Sequence, residues 1–173
     1  MCLKSLASVA LLAASIALPV QATPITYGCD TPADSFSAIE QKVQTRSFII
    51  KGNIEPIQFR KGKYAPLAQI YLESSDGQNR FAMKVISQHK AKAALVSLDI
   101  TRDGKRDEPF PISMVNLSEK LNFQISVTDG SKINFTIDGL DGSPELSLGD
   151  QANMSIICST GEFIFSDLVW TDQ

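Results

Sequence analysis

Apolar residues occupy every second position across the segment that begins at Leu121. Leu121, Phe123, Ile125 and Val127 alternate with Asn122, Gln124 and Ser126, and Ile133, Phe135 and Ile137 repeat the pattern beyond Asp129-Gly130. A period of two belongs to a strand, whose side chains point to opposite faces in turn. The two runs predict a hairpin, and its register follows from the faces. A two-residue turn at Asp129-Gly130 sets Ile133 opposite Ser126 and mixes apolar with polar. A three-residue loop, Thr128-Asp129-Gly130, sets Ile125 opposite Ile133, Phe123 opposite Phe135 and Leu121 opposite Ile137. Gly130 then takes the left-handed bulge position of such loops. The polar side (Asn122, Gln124, Ser126, Lys132, Asn134, Thr136) is the outside or a ligand face.

The same grammar runs through the chain. Strands are predicted over residues 46–52, 54–59, 67–73, 80–87, 93–101, 121–128, 132–138, 154–158 and 162–170. Turn signals separate them: Ser75-Asp76-Gly77, Asp103-Gly104, Asp129-Gly130, 139–144 and Thr160-Gly161. Only residues 30–42 suggest a helical turn or two, capped by Asp34 or Ser35. In the last strand Phe163, Phe165 and Val169 share one parity and Ile164, Leu168 and Trp170 the other. Either both faces are covered or a bulge near Ser166-Asp167 switches the phase. Many short strands with little helix predict an all-β, antiparallel two-sheet sandwich.

Residues 1–22 read as a secretory signal peptide: Lys4 in the n-region, an uncharged apolar run from Leu6 to Val20, and Val20-Gln21-Ala22 at the cleavage point. No later segment is apolar enough to span a bilayer, so no integral membrane segment is expected after cleavage. Removing residues 1–22 from the 173-residue chain leaves 151, one domain over 23–173. Cys2 leaves with the leader. Cys29 and Cys158 remain, and in an oxidising compartment an even pair predicts a disulfide. A periplasmic or secreted location follows. The sequons at Asn116, Asn134 and Asn153 matter only in a eukaryotic secretory route.

Charge is unevenly placed. Residues 23–106 hold 13 Lys/Arg and 8 Asp/Glu, and residues 107–173 hold 2 and 11, so the halves carry +5 and −9. Export and a net charge of −3 argue against nucleic acid as partner. His89 is the sole histidine and no G-x-S-x-G elbow accompanies it, so neither a serine triad nor a zinc site is expected. Asp99, Thr101, Asp103 and Asp107, with Gly104, have the spacing of a calcium loop. Against it, Phe110 stands where a bidentate glutamate belongs, and three basic residues intervene. No other cofactor is expected.

Residues 120–139, reading LNFQISVTDGSKINFTIDG after the lysine, resemble a recurring hairpin of the concanavalin-like jelly-roll sandwiches, which include laminin-G-like domains and several glycanase and lyase families. The closing GEFIFSDLVW is similar to their terminal strand. Gln69-Ile70-Tyr71 is similar to the Gln-Ile-His strand of alginate-lyase-like members, with Tyr71 at the histidine position. The R-x-E-x-R strand is absent, and MSIICST stands where Tyr-Phe-Lys-Ala-Gly is found. The E-x-D-x-E strand of the glucanases is missing too. The resemblance implies a jelly roll without the catalytic residues.

The expectation is therefore an exported, non-catalytic module that binds an acidic or neutral glycan. Its ligand surface would use Lys61, Lys63 and Tyr64 from a basic loop, with Gln69, Tyr71, Arg80 and Lys84 from alternate strand positions. Two other readings stand beside it. One is a polysaccharide lyase or hydrolase with a diverged active site, in which Tyr71 is the base and Arg80 neutralises it. The other is a structural subunit that docks a partner chain at an exposed edge strand.

Overall fold

The computed structural model describes residues 23–88 and 91–172; residues 1–22, expected to be a signal peptide, and His89, Lys90 and Gln173 lie outside them. Thirteen strands follow one another without a helix among the described residues. They are β1 (Ile25–Asp30), β2 (Phe36–Gln44), β3 (Ser47–Phe59), β4 (Leu67–Ser74), β5 (Arg80–Ile86), β6 (Ala93–Arg102), β7 (Lys105–Arg106), β8 (Phe110–Asn116), β9 (Leu121–Thr128), β10 (Lys132–Ile137), β11 (Leu140–Gly142), β12 (Gln151–Ser159) and β13 (Gly161–Asp172). Two antiparallel sheets form, ordered β1-β13-β3-β9-β10-β11 and β2-β12-β4-β5-β6-β7, with β8 beside β6. The inner faces meet in one core in which Phe48, Phe81, Phe163 and Phe165 are fully buried. No described helix is long and apolar enough to cross a membrane.

The β9–β10 hairpin has the expected apolar face with shifted partners. Ile133 opposes Val127, Phe135 opposes Ile125 and Ile137 opposes Phe123. The loop is Asp129-Gly130-Ser131, one residue later than expected, so the register moves by two and the faces are preserved. Gly130 is left-handed, at φ 67°. Its N–H donates to the Thr45 carbonyl at 3.0 Å, and a Cβ there would run into the Gly149 carbonyl. We expect Gly130→Ala to destabilise the fold by about 2 kcal/mol or more, read as a lower denaturant midpoint with unchanged slope.

Residues 30–42 hold no helix: Asp34 sits in a left-handed turn, φ 61°, and β2 follows. The Asp34 carboxylate instead accepts the backbone N–H groups of Lys63 (2.6 Å) and Tyr64 (3.0 Å). The two strands predicted over 46–59 are one strand, β3. Pro56 is tolerated in it because pairing with β9 ends at Ile54–Leu121, so the missing N–H costs no ladder bond there. In β13 the register shifts between Ser166 and Val169, with Asp167 at φ 53°. That bulge turns Leu168 inward after Phe163 and Phe165. Trp170 is only partly buried against the core, and its Nε1–H donates to Gln41 Oε1 at 3.1 Å. Cys29 on β1 and Cys158 on β12 form the disulfide, so one covalent bond ties the two sheets together.

Candidate functional site

Strands β4, β5, β6 and β12 lie side by side in the second sheet, and their outward residues form transverse rows. In β4 the inward residues Ala68, Ile70 and Leu72 are buried, which leaves Leu67, Gln69, Tyr71 and Glu73 outside. Gln69 pairs with Lys84, Tyr71 with Ala82 and Glu73 with Arg80. On the next strand Lys84 neighbours Ser97, Ala82 neighbours Asp99, and Arg80 neighbours Thr101. On the other flank Tyr71 faces Ser155 and Glu73 faces Asn153. Four of the seven expected ligand residues, Gln69, Tyr71, Arg80 and Lys84, thus share one face.

The cations that β5 and β7 bring to this face are already held. Lys84 Nζ binds Asp99 Oδ2, and Arg106 reaches the same oxygen at 2.5 Å. Arg80 donates to Glu73 Oε1, its Nε at 2.9 Å, and its guanidinium carbon stands 5.0 Å from the centre of the Tyr71 ring. Glu73, Asp99 and Arg106 were not expected in a ligand face. Glu73 and Arg80 lie seven positions apart around the Ser75-Asp76-Gly77 turn, so that pair was readable from the hairpin. The contact of Asp99 with Lys84 and Arg106 needs the strand order. Gln69 and Tyr71 differ from their neighbours. Both are half-buried, and among the described residues neither the Gln69 amide nor the Tyr71 hydroxyl has a hydrogen-bond partner.

Lys61, Lys63 and Tyr64 stand apart from these rows, on the loop that leads into β4. Asp34 fixes that loop, and Lys63 Nζ lies 5.4 Å from the Tyr64 ring centre. The calcium-loop residues form a plain hairpin, β6–β7, with Asp103 at φ 49° and Gly104 at φ 74° in its turn. Asp99 meets Lys84 and Arg106, and Asp107 meets Arg102, so basic side chains engage both carboxylates. Among the described residues no group of three or more His, Cys, Asp or Glu side chains is placed to hold a metal ion. His89 falls outside the described residues.

Two carboxylates at turns titrate below their ordinary range. The Ser74 hydroxyl and then the Gln78 N–H hold the Asp76 carboxyl down, and the Asn116 backbone and side-chain amides do the same for Glu119. Both sit outside the rows just described.

The fold is an antiparallel two-sheet β-sandwich with an outward polar surface on its second sheet. No family model and no curated protein sequence matches the chain. Solved structures do. The chain is similar to a family 18 polysaccharide lyase, aly-SJ02, at TM-score 0.62 and 10% identity, over 84% of this chain and 87% of that one. It is similar to the alginate lyase of Alteromonas sp. 272 at TM-score 0.60 and 9% identity, over 84% and 86%. The marine family 7 alginate lyase of Zobellia galactanivorans aligns at TM-score 0.53 and 11% identity, over 93% and 86%. At these identities the likeness is one of fold.

Proposed function

We propose that this chain is an exported, non-catalytic module that binds polysaccharide on the outer face of its second sheet. One observation carries the reading: among the described residues the Gln69 amide and the Tyr71 hydroxyl have no hydrogen-bond partner, in rows where Glu73, Arg80, Lys84 and Asp99 engage one another. An amide donor–acceptor beside an aromatic ring suits a hydroxyl-rich ring with an apolar underside. The face carries Lys42, Arg80, Lys84 and Arg106 against Glu40, Glu73 and Asp99, an excess of one positive charge that favours an acidic polymer such as a polyuronate. The sandwich is shared with a family 18 polysaccharide lyase and with alginate lyases, which supports the same class of ligand. The disulfide supports export, since such bonds persist in oxidising compartments.

The test is a thermal-shift screen of the oxidised protein against neutral, uronate and sulfated polysaccharides. A ligand of the native state raises the melting temperature. The expected result is a shift with uronate polymers that Tyr71→Ala abolishes and Gln69→Ala weakens about tenfold, the loss expected from one or two hydrogen bonds. No shift with any polymer would overturn the proposal. Tyr71→Phe separates binding from catalysis: as a binding residue it keeps most of the affinity, whereas polymer cleavage that vanishes in this variant would make Tyr71 a base and the chain a lyase.

A further inference from the structure

The same sheet face changes character toward one end. There Phe36 pairs with Ser159, Ser159 with Leu67, Leu67 with Ile86, Ile86 with Leu95 and Leu95 with Met114. Apart from Ser159, this transverse row is apolar, and it points away from the core. Phe36 is 75% exposed, Met114 59% and Leu95 38%. Ala38 and Ile157 extend it into the next row. At about 4.8 Å per strand the row runs about 24 Å. Contiguous exposed apolar surface of this kind marks a contact site.

The loops beside the row are basic. Ser87 N–H donates to the Pro66 carbonyl at 3.0 Å, which sets the end of β5 against the β3–β4 loop. Tyr64, 57% exposed, and the exposed Lys61 and Lys63 lie on that β3–β4 loop. Exposed Lys92 precedes β6, and its carbonyl accepts the Leu117 N–H at 3.0 Å. Among the described residues none of the three lysines meets a carboxylate. The nearby acids are engaged: Asp30 with Arg60 at 2.6 Å, Asp34 with the loop backbone and Glu119 with Asn116.

We propose that this end of the sandwich docks on an anionic lipid surface. Charge complementarity selects that occupant. Lysine is depleted in protein–protein contacts, whose cores exclude charge. Aliphatic and aromatic groups rimmed by unpaired lysines are the composition of an interfacial anchor, because lysine stems lie along apolar surface while their ammonium groups reach the headgroups. The row adjoins the polar rows on the same sheet face, since Ile157 pairs with Gln69 while Leu67 stands two residues from Gln69 on β4.

The experiment is co-sedimentation of the oxidised protein lacking residues 1–22 with phosphatidylglycerol–phosphatidylethanolamine vesicles and with phosphatidylcholine vesicles. Binding is expected to the anionic vesicles alone and to weaken at high salt. Lys61→Gln with Lys63→Gln should weaken it about 25-fold, at about fivefold per lysine. Phe36→Ser with Met114→Ser should weaken it at least about tenfold and leave the melting temperature unchanged, since both side chains are exposed. No binding to anionic vesicles, equal binding to phosphatidylcholine, or indifference to both double variants would overturn the proposal. The polysaccharide shift, measured on Phe36→Ser with Met114→Ser, is expected to survive, which keeps the two proposals separable.

Discussion

Changing Cys29 and Cys158 together to alanine is expected to lower stability by about 2–5 kcal/mol. The bridge joins β1 in one sheet to β12 in the other, across 129 residues of sequence. In the chain-entropy account, a loop of this length restricts the unfolded chain by about 4–5 kcal/mol. The native side adds a smaller loss, because Cys29 and Cys158 are buried in the core and alanine leaves space there. For a domain of this size each kcal/mol moves the melting temperature by about 2–4 °C, so a fall of roughly 5–15 °C is expected. Reduction of the native protein by dithiothreitol should reproduce most of it without a cavity. A fall under about 2 °C in both experiments would show that the bond does not stabilise the sandwich.

Asp99→Ala carries the second large effect, about 2–4 kcal/mol. The Asp99 side chain is only 7% exposed, and it is the shared anion for Lys84, at 24%, and Arg106, at 58%. Removing it leaves the Lys84 ammonium half-buried on the sheet without its counter-charge. An unpaired charge in such a place costs more than the pair contributes. Asp107→Ala is the control. It breaks the pair with Arg102, both side chains 41% exposed, and solvent takes over the screening, so a change under about 1 kcal/mol is expected. Equal losses from the two variants, read by urea denaturation, would refute the distinction.

The Asp99 case shows where sequence reading stops. Its neighbours in the chain, Thr101, Asp103 and Gly104, suggest oxygen ligands around a tight turn. Its neighbours in space are two cations, one from the adjacent strand and one from across the hairpin. Local spacing describes a loop, and here the loop is a two-strand turn. The same limit hid β8, where Pro111 interrupts the alternation; it survives as an edge strand, with pairing partners on one side only. It also hid the apolar row, because Phe36, Leu67, Ile86, Leu95 and Met114 come from five strands and have no common spacing. Arg80 beside Glu73 was within reach, since a short hairpin brings its own ends together.

The bulge near Asp167 was one of two readings that only the structure decided, whereas the sequence by itself determined the all-β class, the inward face of the β9–β10 hairpin, the left-handed role of Gly130 and the cysteine pair. These are consequences of a two-residue period, of turn chemistry and of counting, each of which acts over a few residues or over none. The strand order, the register within two residues and the arrival of Asp99 and Arg106 beside Lys84 were decided only by the tertiary structure. Pairing distant strands depends on which apolar faces bury best against one another, and that sum runs over the whole core.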